Sequence, residues 1–284
     1  MIPAPFAYVR TTSLQQAIGL LQGDTEGSKL LAGGHSLIPA MKFRLASPVL
    51  LVDIRGIDEL KGIDIGDTIR IGALASHGEL LGSDPLRQVL PIFHDAANVI
   101  ADPQVRNRGT IGGSLANADP AADWPAVIVA LNGEVELAGP HGRRRVAAKE
   151  FFIEMMTTAL EPEEVLVAVH IARPKSNIQF RYRKIHHPAS GYAVVGVAVA
   201  LGLQDGVVCE GTIGITGATA RAFAADTAMA FLMGKSLFSQ NIEQTALMVS
   251  EHAECLSDHY ASAAYRKHLL KTEVGRALSS LTLV

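Results

Sequence analysis

Apolar residues recur along the first half of this chain at helical spacing, broken by short runs that read as strands. Leu14, Ala17, Ile18 and Leu21 fall on one helical face behind Ser13, a side chain suited to cap a first turn. Lys29 to Ala32 reads as a short buried strand, Ser36 to Lys42 as the start of a helix, and Pro48 to Ile54 as a second buried strand. Ile63 to Gly72 forms a hairpin turning at Gly66-Asp67. Spacing then predicts helices over Ile92 to Ala101 and Val127 to Leu131, and a second hairpin pairs Glu134 to Leu137 with Arg143 to Val146 around Gly139 to Gly142. Alternation of strands and helices supports an α/β arrangement for this part. A strand from Val165 to Ile171 leads into the polar, proline-containing link Ala172 to Asn177, where a domain boundary is expected. Beyond it, Ile178 to Ile185, Tyr192 to Leu203 and Val207 to Ile215 read as strands, two of them joined antiparallel through Gln204-Asp205-Gly206. Helices over Arg221 to Met233, Ile242 to Ser257 and Ala261 to Leu278 then cover one face.

Two glycine pairs interrupt the pattern: Ala32-Gly33-Gly34-His35-Ser36 and Thr110-Ile111-Gly112-Gly113-Ser114. The first sits between a strand and a helix start, where unpaired backbone N–H groups and the positive end of the helix dipole favour an anion. Glycine lets a phosphate approach closely and tolerates positive φ. One such pair alone is a common tight turn. The second follows Arg106-Asn107-Arg108-Gly109 and leads into Leu115 to Asp123, a small and polar stretch with too few large apolar residues for ordinary core. Two loops shaped for close backbone approach suggest one extended ligand.

At these residues the chain resembles the FAD-binding medium subunits of the molybdenum hydroxylases, the xanthine dehydrogenase and aerobic carbon monoxide dehydrogenase group. Pro3, Phe6, Tyr8, Ser13 and Leu14 resemble the family's opening, and both glycine motifs follow in order, with Arg-Asn-Arg before the second. The resemblance implies an α+β fold: an FAD-binding domain of PCMH type over residues 1–175, in two subdomains split near 55, and a C-terminal domain of antiparallel sheet and helices over residues 176–284. It implies that Ala32 to Ser36, with Leu37, and Thr110 to Ser114 hold the FAD pyrophosphate. By the same resemblance Asp123 binds the adenosine ribose, although its position equally suits an N-cap for the helix from Trp124 to Leu131. Lys184 corresponds to a lysine beside the flavin, Tyr192 to an aromatic near the isoalloxazine ring, and Ile100 and Leu166 to apolar residues at the ends of the cofactor. Gly191 stands where many relatives carry aspartate, and Asn117 and Trp124 replace residues common in close relatives, with Asn117 keeping a polar contact to the cofactor.

Composition narrows the alternatives. The chain has 284 residues, 48% of them apolar and 19% charged, and a formal net charge of −3, which suits one or two compact domains. No basic stripe marks a nucleic-acid surface, and no run is long enough to cross a bilayer. With no signal segment at Met1 to Phe6, a cytoplasmic location is expected. Two cysteines, Cys209 and Cys255, are too few for an iron–sulfur cluster, which takes about four. The histidines show no zinc spacing, and adjacent His186 and His187 would point to opposite faces of a strand, so no metal is expected in this chain. Neither glycine pair matches the Gly-x-Gly-x-x-Gly or Walker patterns, and no Gly-x-Ser-x-Gly elbow is present. The Arg143 to Arg145 run reads as a solvated hairpin edge.

The family implies electron transfer without an acid/base dyad on this chain. Molybdopterin in a large subunit oxidises the substrate, [2Fe-2S] clusters in a small subunit relay electrons, and the FAD passes them to an external acceptor, within a heterotrimer that dimerises. Two alternatives stand beside it: a non-catalytic module that binds FAD or another nucleotide, and a self-contained flavin oxidase.

Overall fold

The computed structural model describes residues 2–23 and 27–281. The chain begins with β1 (Ala7–Arg10), α1 (Leu14–Gly23), β2 (Ser28–Leu31), α2 (Leu37–Lys42) and β3 (Leu50–Asp53), whose strands form a parallel sheet in the order β1-β3-β2. Helix α1 buries Leu14, Ala17 and Leu21, and the Ser13 hydroxyl accepts from the Gln16 N–H at 3.2 Å, as the spacing predicts. Parallel pairing needs a crossover between strands, and α1 and α2 with their flanking loops provide the connections.

The hairpin β4 (Ile63–Ile65) and β5 (Thr68–Gly72) opens a second sheet. Six helices follow before it resumes: α3 (His77–Gly82), α4 (Asp84–Val89), α5 (Pro91–Asn98), α6 (Pro103–Arg106), α7 (Ile111–Asn117) and α8 (Asp123–Ala130). Then come β6 (Glu134–Gly139), β7 (Gly142–Ala147), α9 (Ala148–Phe151), the small pair β8 (Phe152–Glu154) and β9 (Thr157–Thr158), and β10 (Val165–Ala172). Apart from the β8-β9 pair, the strands run in the order β4-β5-β10-β6-β7 and every neighbour is antiparallel. The α/β alternation of the sequence is therefore a parallel sheet only up to Asp53. Beyond it, α3 to α8 form one long insertion between β5 and β6. Central β10, Val-Leu-Val-Ala-Val-His-Ile-Ala, is apolar on both faces and buried along all but its last residue.

The C-terminal sheet comprises β11 (Ile178–His186), β12 (Ala193–Gln204), β13 (Val207–Thr216) and β14 (Phe223–Ala224), antiparallel in chain order. Helices α10 (Asp226–Leu232), α11 (Ser239–His252) and α12 (Ala263–Ser279) pack on one face around Val195, Val197, Leu270 and Val274. The helix expected from Arg221 starts late because Phe223-Ala224 pairs with β13 instead. The one expected to reach Ser257 ends at His252, five residues early, while its start lies at Ser239. Likewise α5 stops at Asn98, leaving Ile100 and Ala101 in a turn where Ala101 takes φ +43°. Tyr192 precedes β12, and His187 lies beyond β11, its ring 4.2 Å from that of Tyr260, so the two histidines do not share a strand.

One helix joins the halves. All eight residues of α8, Asp-Trp-Pro-Ala-Val-Ile-Val-Ala, are buried, as expected of a helix apolar nearly all round. It lies against β12 and β13 on one side and the helical insertion on the other. Contact with β13 is so close that a Cβ at Gly214 would overlap the Ala126 carbonyl oxygen.

Candidate functional site

Helix α2 leaves its strand through Ala32-Gly33-Gly34-His35-Ser36. Gly34 takes φ +76°, a left-handed turn that glycine adopts without strain. None of the backbone N–H groups from Gly33 to Leu37 meets an acceptor among the described residues. Five consecutive donors without partners, around a left-handed turn, form a nest for an anion. His35 Nδ1 lies 3.1 Å from the Gly33 carbonyl oxygen, and both His35 and Ser36 are exposed. Leu37 is half-buried.

The second loop differs. Its donors are spent within the fold: Ile111 N–H to the Ala75 carbonyl (2.9 Å), Gly112 to Ala73 (2.9 Å), Gly113 to the Thr110 hydroxyl (3.1 Å) and Ser114 to the Thr110 carbonyl (3.0 Å). A Cβ on Gly112 would stand 2.5 Å from that of Ala73, so this glycine is required by packing on the segment after β5. The loops meet directly. A Cβ on Gly33 would overlap the Arg108 carbonyl oxygen, and one on Gly113 would stand 3.8 Å from that of Ala32.

The second loop is propped by a buried pair that the sequence reading passed over. Ser76-His77-Gly78-Glu79 forms a capping box at the start of α3, with the Ser76 hydroxyl accepting from Glu79 N–H at 3.1 Å and Glu79 accepting from Ser76 N–H at 2.7 Å. This sets His77 so that its N–H donates to the Gly109 carbonyl (2.9 Å) and its Nδ1 accepts from Trp124 Nε1 (3.0 Å). An accepting Nδ1 requires the neutral ring. Burial, with the nearby charges of His35 and Arg106, lowers the His77 pKa to about 4. Trp124 stacks in turn on Phe93 at 5.3 Å. Ser-x-x-Glu was the visible signal for this prop.

Between the loops and β4 lies a cleft of about 440 Å³ lined by Ala32, Gly33, Asn107, Arg108, Thr110, Ser76, Arg55 and Lys61. Arg55 is fixed there by buried Asp53 (2.6 Å), whose carboxyl is held well below the usual range because hydrogen bonds from Arg55 and Tyr8 outweigh burial. Lys61 pairs with Asp58 at 2.7 Å. A larger cavity, about 510 Å³, lies away from both loops at the β6-β7 turn. There the arginine run is an exposed edge, but each member has an acidic partner: Arg143 with Glu59 and Glu136, Arg144 with Glu164, and Arg145 with Glu134.

Asp123 opens α8 but does not cap it. Ala122 occupies the cap and no side chain closes it. Instead the carboxylate, 6% exposed, accepts from the Tyr182 hydroxyl at 2.6 Å and from Lys184 Nζ at 2.9 Å. Lys184, its side chain 2% exposed, also reaches the Val99 carbonyl at 3.2 Å, next to half-buried Ile100. Tyr192 is partly exposed beside Ser36, Asp119 and Asp123, and burial with the two carboxylates pushes its phenol pKa up. Tyr192, beside Ser36, and Ile100, beside Val99, thus continue the strip that the two loops begin, with the Asp123–Lys184 pair buried between them. Asn117 is half-buried in the last turn of α7. Leu166 lies apart, 4% exposed in β10 within the apolar core. The unpartnered donors of the first loop fit a phosphate-bearing cofactor lying along this strip.

Two family models span the chain: the FAD binding domain in molybdopterin dehydrogenase matches residues 4–174, and the CO dehydrogenase flavoprotein C-terminal domain matches residues 180–281. The carbon monoxide dehydrogenase medium chain of Afipia carboxidovorans is 38% identical over 98% of this chain and 97% of its own length. The glyceraldehyde dehydrogenase medium chain of Sulfolobus acidocaldarius is 34% identical over 99% of this chain and 100% of its own. Among solved structures, carbon monoxide dehydrogenase from Hydrogenophaga pseudoflava superposes with a TM-score of 0.96 at 38% identity, covering 98% of both chains. Quinoline 2-oxidoreductase from Pseudomonas putida superposes at 0.93 with 32% identity, covering 99% of this chain and 98% of that one. With both domain models matched and its glycine loops set side by side, this chain belongs to the FAD-binding medium subunits of the molybdenum hydroxylases, oxidoreductase components of molybdopterin-dependent dehydrogenases.

Proposed function

We propose that this chain is the electron-transfer subunit of a heterotrimeric molybdenum hydroxylase, its FAD placed between [2Fe-2S] clusters of a small subunit and an external acceptor. A large subunit with the molybdenum cofactor oxidises the substrate, and two heterotrimers pair. The observation that carries the reading is the run of five N–H donors from Gly33 to Leu37 with no acceptor among the described residues. These donors, with Ala32, hold the pyrophosphate. Thr110 to Ser114 and Asn117 close the other side with small side chains and the Ser114 hydroxyl. Lys184 and Tyr192 face the flavin ring, with Ile100 as an apolar wall, while Leu166 belongs to the core of β10.

Bound flavin supplies the chemistry, taking electrons singly and releasing them as a pair, while the protein binds, orients and tunes it. A cation at Lys184 favours the reduced, anionic ring electrostatically. The domain division at 175, with its subdivision near 55, draws support from the change of sheet after Asp53 and the end of β10 at Ala172. A cytoplasmic setting accords with two free thiols, Cys209 and Cys255. Among the described residues no helix is long and apolar enough to cross a membrane.

The test is copurification from the native host, with subunits resolved on a gel, metals counted and the visible spectrum recorded. Flavin bands with molybdenum, iron and two further subunits are expected. A flavin-bearing lone chain that a small substrate reduces would make it an oxidase, and a colourless one would remove the FAD role.

A further inference from the structure

We propose that Tyr182 and Asp123 are positioning residues that hold the Lys184 ammonium against the 99–101 turn, so that Asp123 acts on the cofactor through Lys184 and not as a ligand of the ribose. The inference rests on the reading above that Lys184, Ile100 and Tyr192 line the ring end of the FAD site.

Both oxygens of Asp123 are engaged within the protein, Oδ1 by Tyr182 at 2.6 Å and Oδ2 by Lys184 at 2.9 Å. All three groups are buried: Asp123 is 6% exposed, Tyr182 7%, and the Lys184 side chain 2%. A carboxylate in such surroundings is costly unless charge and hydrogen bonds compensate it; here one cation and one hydroxyl offset part of the cost, and burial still raises the Asp123 pKa. Burial, then the Asp123 charge, raises the Tyr182 pKa well above its ordinary value, so the phenol stays a neutral donor.

The triad ties three separate segments together. Asp123 starts α8, Tyr182 and Lys184 are alternate residues of β11, and Val99, the second acceptor of Lys184, follows α5. The same turn is also gripped by Arg106, which donates to the Ile100 and Ala101 carbonyls, each at 2.9 Å. Two cations therefore fix a turn whose Ala101 is left-handed, and the segment carrying Tyr192 passes over it, with a Cβ on Gly191 falling 4.0 Å from the Ala101 Cα. Loosening Asp123 frees Lys184, and with it the placement of Ile100 against the ring.

The experiment uses the purified complex before and after removal of its flavin. FAD affinity and the visible spectrum of bound flavin are measured for wild type, Tyr182→Phe, Asp123→Asn and Lys184→Met, and ADP binding to the flavin-free complex is measured alongside. Tyr182→Phe keeps the ring and removes one hydroxyl. The expected result is FAD affinity lower by about tenfold in Tyr182→Phe and by more in Asp123→Asn. Shifted flavin bands are expected in both, with ADP affinity unchanged. Lys184→Met should reproduce the shift, and adding Tyr182→Phe to it should cost little more, since the residues act as one unit. ADP affinity falling in step with FAD in Asp123→Asn, with Tyr182→Phe silent, would restore Asp123 as a ribose ligand. Unchanged affinity and spectrum in both would leave the triad purely structural. A wild-type complex that binds no FAD would instead overturn the cofactor reading itself.

Discussion

The two glycine loops look alike in sequence and do different work. The first keeps five N–H groups without partners and one left-handed glycine, whereas the second spends its donors on Ala73, Ala75 and Thr110 and contributes shape. A glycine pair can therefore mark either an open donor nest or a seam between tightly packed segments. The backbone's hydrogen-bond ledger separates the cases, because a donor already bonded inside the fold offers little to a ligand.

The sharpest test of that difference is Gly112→Val, whose new side chain would meet Ala73 at 2.5 Å. Overpacking against backbone should cost about 3 kcal/mol of stability, measured by denaturant unfolding of the flavin-free chain. Loss of FAD at unchanged stability would instead place the second loop among the direct ligands. Gly33→Val falls in the same class, since its Cβ would overlap the Arg108 carbonyl oxygen and part the loops before any phosphate arrived.

Acid should strain the second loop and spare the first. His77 resists protonation until about pH 4 in the fold but titrates near 6.5 when unfolded. Between those values the unfolded chain binds more protons, so stability falls as pH falls, by up to about 3 kcal/mol across the window. His77→Gln retains an acceptor for Trp124 and should flatten that limb of the stability curve. An unchanged limb would show that other groups produce it.

Gly34→Ala tests the nest. The left-handed conformation costs a non-glycine residue about 1–2 kcal/mol, and the loss should appear in FAD affinity measured by titration. Equal affinity would mean that the donors do not hold the phosphate. The smallest effect is reserved for Thr110→Val, which removes the acceptor of the Gly113 N–H. Stability should drop by about 1 kcal/mol, as for a lost helix cap. FAD affinity should stay within about threefold, a tenth of the effect that a direct phosphate ligand would show.

Much of the architecture was legible because it rests on local chemistry. Ser13 capping α1, the Gly66-Asp67 hairpin, the apolar run of β10 and the turn at Asp205-Gly206 each follow from a few neighbouring residues. Helix ends were read less well. Ile100 and Ala101 carry a helical pattern, yet Arg106 and Lys184 take the carbonyls of Val99, Ile100 and Ala101 and hold them in a turn. Phe223-Ala224 joined a sheet edge that no local signal announces.

By itself the sequence determined where glycine was needed, which segments are strands or helices, and the family to which they belong, since each is written in short-range pattern and motif. Tertiary structure decided which glycine loop keeps its donors, and that Asp123 bonds Tyr182 and Lys184, 59 and 61 residues away, and not its own helix. A buried carboxylate takes whichever cation and hydroxyl the fold brings to it, and that meeting of α8 with β11 exists only once the two sheets have packed around the helix.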